Sequence, residues 1–161
     1  MPTPKAGTRF TPQQAVQRLE EVLAHAWMVR TFLKHAPEIA GHPEMLAVPR
    51  TLFDSIRAVE PARQRGDFAT YLRRIQGKLP KIRQLAQYFN EHYAAFSPHT
   101  NYAMAALSLR GVVRSLEEIL QQVDWEQLPQ HLPAAPSAPL QHPPPAPPRN
   151  DPLDSLEIPE V

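Results

Sequence analysis

Arg30 and His35, an arginine and a histidine five positions apart, are one pair of this chain whose types could do chemistry. A guanidinium fork can hold an anion, and an imidazole can move protons near neutral pH. Five positions of regular helix set the two side chains about 140° apart, so they converge only if the helix ends first or a second subunit supplies one of them. Both lie in HAWMVRTFLKH, residues 25–35, with a second histidine, a tryptophan and a lysine. The plain alternative is a helix touching two neighbours, with His25 paired to Glu21 and the Arg30 stem packed while its head reaches an acidic partner. His25 and His35 stand about 15 Å apart along a helix axis, too far to share a metal ion.

Arg30, four intervening residues and His35 resemble the R-x4-6-H signature of the HEPN superfamily, small helical bundles that include ribonucleases. The resemblance covers those two positions and the all-helical class, and implies an RNA-binding or RNA-cleaving bundle. Thr31 stands where that family usually carries Asn, Asp or His after the arginine. Topology adds a second grouping. In an up-down bundle His35, His42, His92 and His99 fall at one end, with Glu91, Thr100 and Asn101 close by. Arg30, His35, His99 and Asn101 are the candidate polar site. No H-E-x-x-H or repeated E-x-x-H occurs and there is no cysteine, so no metal site and no cofactor is expected. P-loop, G-x-G-x-x-G and G-x-S-x-G motifs are missing too, and the five glycines are scattered singly.

A third candidate is RRIQGKLPKIR, residues 73–83, with five positive charges and no negative one. Helical projection gathers Arg74, Lys78 and Lys81 on one outer face, continued by Tyr88 and His92. Such a face can track phosphates and stack a base, or simply be solvated.

Charge is uneven along the 161 residues. The net value is +1, but residues 129–161 hold Arg149 against Asp151, Asp154, Glu157 and Glu160, leaving the first 128 residues at +4. That excess permits polyanion binding, though a pI near 8.2 falls short of a dedicated nucleic-acid binder. The last 33 residues also hold 11 of the 20 prolines. Such a run cannot pack and favours an extended, hydrated chain, so a disordered Pro-rich tail is expected over 129–161, and a flexible N-terminus over 1–10. PPAPPR, 144–149, fits a P-x-x-P-x-R ligand, and Leu153, Leu156, Ile158 and Val161 among four acids make a short docking segment. With no cysteine, secretory leader or membrane-length apolar run, a cytoplasmic protein is expected.

Between those limits, residues 11–128 read as an all-α, antiparallel four-helix bundle. Thr11, Pro12 and Gln14 form a capping box with a proline at the first helical position. Ala15, Leu19, Val22, Ala26, Val29 and Leu33 then step by four and three to Pro37. A short second helix is expected between Pro49 and Pro61, burying Leu52, Ile56 and Val59. The third opens after Asp67 and keeps one seam from Phe68 to Tyr93 across Gly77 and Pro80, so one kinked helix is expected there. Ser97 and Pro98, or Thr100, should cap the fourth, whose seam runs from Tyr102 to Val123, with Trp125 against its end. HAWMVRTFLKH, VPRTLFDSIRAVEPA and SPHTNYAMA together resemble a family of small, uncharacterised helical bacterial proteins over about residues 20–120. That resemblance implies a shared helical domain and no known activity. The expected function is a non-enzymatic interaction or scaffolding module for a protein partner, with RNA and a homodimer as further partners and no membrane.

Overall fold

The computed structural model describes residues 9–129, and among them holds four α-helices and no strand. They are α1 (Pro12–Lys34), α2 (Pro43–Gln64), α3 (Phe68–Phe96) and α4 (Thr100–Gln121). Consecutive helices pack antiparallel, α4 closes back on α1, and α1 also meets α3 across the diagonal. This is the all-α, four-helix bundle the sequence predicts.

Local chemistry sets the ends. Gln14 N donates to Thr11 Oγ1 at 3.2 Å while Thr11 N donates to the Gln14 side chain at 3.1 Å, the reciprocal capping box. At the end of α2, Gly66 takes a φ of +67°. Asp67 N then reaches back to Ala62 O at 2.9 Å and Gly66 N to Arg63 O at 3.0 Å, satisfying carbonyls the helix leaves open. Asp67 itself caps α3 by accepting from Thr70 N at 3.1 Å, so three residues, Arg65, Gly66 and Asp67, turn the chain from α2 into α3.

Three expectations are corrected. The second helix begins at Pro43 rather than near Pro49, and with 22 residues it is as long as α4. Pro43 has its φ already set for the first helical position. The interior Pro49 costs roughly 3 kcal/mol of helix propensity. Burial of Met45, Val48 and Pro49 itself offsets this, at about 1.5–3 kcal/mol for each large side chain. The cap of α4 is His99, whose Nδ1 accepts from Asn101 N at 3.1 Å, while buried Ser97 accepts from His99 N instead. Arg9 and Phe10, placed in the flexible N-terminus, are part of the fold. Phe10 pairs with Val123 in an isolated parallel bridge, its N–H reaching Gln122 O at 2.9 Å, and Arg9 pairs with Asp124 at 3.2 Å.

α3 runs unbroken for 29 residues through Gly77 and Pro80, because its seam stays buried on both sides at Ile75, Leu79, Ile82 and Phe89. The Trp125 indole donates to Leu120 O at 3.1 Å and rests on the core, and Leu128 is buried behind it. No helix of the described residues is long and apolar enough to cross a membrane.

Candidate functional site

The flank of α1 that meets α2 and the flank that meets α4 divide HAWMVRTFLKH between them. Arg30 goes to the α2 side. Its guanidinium carbon lies 4.7 Å from the Trp27 ring centroid and 4.8 Å from that of Phe53. The two rings are 5.9 Å apart and tilted by 37°. The expected acidic partner is replaced by two aromatic faces, whose negative quadrupoles attract the cation and fix its plane. Beside it opens a cleft of about 250 Å3, lined by Arg30, Lys34, Leu46, Pro49, Arg50 and Phe53.

His35 goes the other way. With His99 and Asn101 it borders a cleft of about 530 Å3 between α1 and α4, together with Phe32, Glu38 and Tyr102. Three of the four candidate polar residues therefore meet, and Arg30 does not join them. The 140° helical separation persists because α1 stays regular through Lys34. In this cleft the buried Tyr102 hydroxyl donates to Glu38 Oε2 at 2.7 Å, and its ring meets Phe32 edge-on at 5.3 Å. That hydrogen bond, with one from its own backbone N–H, holds the Glu38 carboxyl below the usual carboxylate range; burial opposes the shift and the nearby His99 adds to it. Burial first, and the carboxylate second, push the Tyr102 phenol up.

The remaining histidines separate. His42 lies edge-on to Phe96 at 4.7 Å and 3.5 Å from Glu44, while His92 stacks on Tyr88 at 4.1 Å and bonds the Tyr88 carbonyl at 2.7 Å. Among the described residues no three His, Asp or Glu side chains come together as metal ligands. His25 faces α4, in a small groove with Val22, Ser108 and Val112, and makes no ion pair with Glu21.

The basic α3 face is partly tied down. Arg74 donates to Ala58 O of α2 at 3.1 Å, and the adjacent Arg73 to Pro129 O at 2.8 Å. Lys78 is half-buried and Lys81 exposed, and one face of the Tyr88 ring is covered by His92. The docking residues Leu153, Leu156, Ile158 and Val161, and the PPAPPR match, lie outside the described residues.

Sequence reasoning missed a broad groove on the other side of α4. It is about 880 Å3, between α3 and α4, and its lining includes Arg83, Asn90, Leu107, Arg110, Gly111 and Arg114. The Asn90 amide ties the two helices by donating to Ala86 O at 2.8 Å and Ala106 O at 3.1 Å. Arg83 pairs with Glu117 at 2.6 Å and Arg114 with Glu118 at 3.9 Å, whereas Arg110 has no acidic partner among the described residues. Leu107 is 54% exposed and Met104 52%, both on α4. Their signal was present in the sequence, since neither falls on the α4 seam. No known protein family, curated protein or solved structure matches the chain.

Proposed function

We propose that this chain is a non-enzymatic interaction module of the cytoplasm, a four-helix bundle that docks a protein partner on the outer face of α4. The Pro-rich segment from residue 129 serves as tether, with Leu153, Leu156, Ile158 and Val161 as a second, short docking element. The observation that carries the reading is the exposure of Leu107 in the α3–α4 groove and of Met104 one turn before it on α4. Arg110, which has no acidic partner among the described residues, lines the same groove. Large apolar side chains gathered on one exposed face favour association, because covering each removes its apolar surface from water. The chemistry that fits is an amphipathic helix with leucines on one face and a carboxylate placed to meet Arg110. Separation of Arg30 from His35 supports the non-enzymatic part, since the R-x4-6-H reading needs the two side chains on one substrate and a single chain places them in different clefts.

Fluorescence anisotropy with a labelled helical peptide of leucine and glutamate tests the reading. Saturable binding is expected, weakened about tenfold or more by Leu107→Asp, as the loss of one buried leucine contact implies. Arg110→Glu should weaken it further at low salt than at high salt. Equal binding by wild type and Leu107→Asp overturns the assignment. Concentration-dependent self-association that Leu107→Asp abolishes would replace the helical partner with a second copy of the chain.

A further inference from the structure

Lys34 and Arg50 stand with Arg30 around the α1–α2 cleft, and among the described residues no ion pair with an acid holds any of the three. Elsewhere on the described surface Arg9, Arg57, Arg63, Arg83 and Arg114 each have a carboxylate. Arg74, Lys78, Lys81 and Arg110 have none among the described residues, but they do not gather with an apolar wall in one small cleft. Asp54, one turn along α2 from Arg50, is exposed and does not pair with it. Three like charges on one small cleft repel one another, and Arg30 cannot swing clear because the Trp27 and Phe53 rings hold its guanidinium. The fold thus maintains an electrostatic cost that an anion would remove. The rest of the cleft lining is apolar, made by Leu46, Pro49 and the Phe53 ring on which Arg30 rests.

We propose that the α1–α2 cleft binds the phosphate of a nucleotide, with the phosphate oxygens between Arg30, Lys34 and Arg50 and the flat base against the Leu46, Pro49 and Phe53 wall. A guanidinium whose plane is already fixed offers parallel N–H donors to two phosphate oxygens without further ordering. Lys34 and Arg50 are both exposed and supply charge from the two helices. A volume of about 250 Å3 admits a phosphate and part of its nucleoside, not a folded nucleic acid. The same chemistry is presented by a free mononucleotide and by one nucleotide of a single-stranded RNA. The site depends on neither His35 nor the α4 face, and it involves binding only.

The test uses the full chain with Trp125→Phe, which leaves Trp27 as the sole tryptophan and hence a reporter stacked on Arg30. Uridine monophosphate and a single-stranded uridine hexamer are titrated while Trp27 emission is followed. A saturable change is expected with the mononucleotide, the hexamer or both, reversed by inorganic phosphate and absent with uridine. A joint Lys34→Gln, Arg50→Gln variant should weaken it at least about tenfold, the loss of a charge-assisted hydrogen bond, with far-UV dichroism unchanged. Lys78→Gln with Lys81→Gln on α3 should leave it intact. Much tighter binding of the hexamer assigns the source to RNA, and equal affinity to free nucleotide. No response to either probe at millimolar concentration overturns the proposal. So does a response shared by uridine, or one that the α3 variant reduces as much as the α1–α2 variant.

Discussion

The two flanks of α1 carry similar residues and use them differently. Toward α2, Glu20 holds Arg63 at 3.1 Å and accepts from the Tyr71 hydroxyl at 2.6 Å, so one carboxylate ties α1, α2 and α3. Tyr71 is fully buried, and three turns further along Arg30 is clamped between two rings. Toward α4, Tyr102 is almost as buried, yet its carboxylate partner Glu38 is exposed, as are His35 and His99. One tyrosine–carboxylate pair is thus closed by an arginine and the other opens to water beside imidazoles. A buried phenol gives the same local bond in both places, but the far side of the carboxylate decides whether the pair locks helices or lines a cleft.

The largest break in that comparison should come from Tyr71→Phe. Removing the hydroxyl takes a bond from the Glu20 carboxylate, which is 36% exposed and keeps Arg63. The loss therefore falls at the low end of the roughly 1.5–3 kcal/mol for a hydrogen bond to a charged group. Tyr102→Phe should cost less than half of that, because water replaces the phenol at the exposed Glu38. Urea melts of the two variants measure the ratio, and equal losses would remove the distinction. The alkaline limb sharpens it. Burial, then the carboxylate bond, raise both phenols above their ordinary value of 10.0. Folded protein therefore keeps protons that the unfolded chain releases, and stability falls as pH rises past 10. Titration at 295 nm should show two of the four tyrosines ionising only as the protein unfolds.

A smaller and more selective effect is expected from Arg30 and His35. Arg30→Ala removes two cation–π contacts and stem packing, about 1–2 kcal/mol in all, visible as several degrees in the melting temperature. His35→Ala changes an exposed side chain and should stay within about 0.5 kcal/mol. Arg30→Lys keeps the charge and loses the flat fork, so it should restore less than half of the difference. Full rescue by lysine would show that charge alone, rather than stacking, holds the α2 flank.

These contrasts explain what was legible in the amino-acid order. Seams and caps depend on neighbours three or four residues away, so the capping box at Thr11, the stop before Pro37 and the long α3 could be read directly. The start of α2 could not. Pro49 alone argues for a helix start, and only the burial of Met45 and Val48 against other helices overrides it. That error concealed the α1–α2 cleft, because it put Arg50 at a helix tip instead of mid-helix beside Arg30. Partners far apart in sequence, such as Glu20 with Tyr71 or Phe32 with Tyr102, leave no local pattern. Leu107 and Met104 showed only as positions the seam does not use.

The smallest predicted effect is confined to acid pH. The Tyr102 hydroxyl, and next the Glu38 backbone N–H, hold the Glu38 carboxyl below its ordinary value; burial works the other way, and the nearby His99 adds a smaller lowering. A carboxyl whose folded value lies below its ordinary 4.5 binds protons more weakly in the folded state than in the unfolded one. Its contribution is therefore fully present above pH 4.5 and is lost as pH falls through the lower folded value. Glu38→Gln should make the acid limb of the melting temperature shallower in that window while leaving the neutral value close to wild type. Glu20 lies on the other flank, tied to Arg63 and to the buried Tyr71, so Glu20→Gln should lower the melting temperature at neutral pH as well. If Glu38→Gln instead destabilises at pH 7 as much as Glu20→Gln does, the α4 flank locks helices just as the α2 flank does, and the open cleft at Tyr102 is structural.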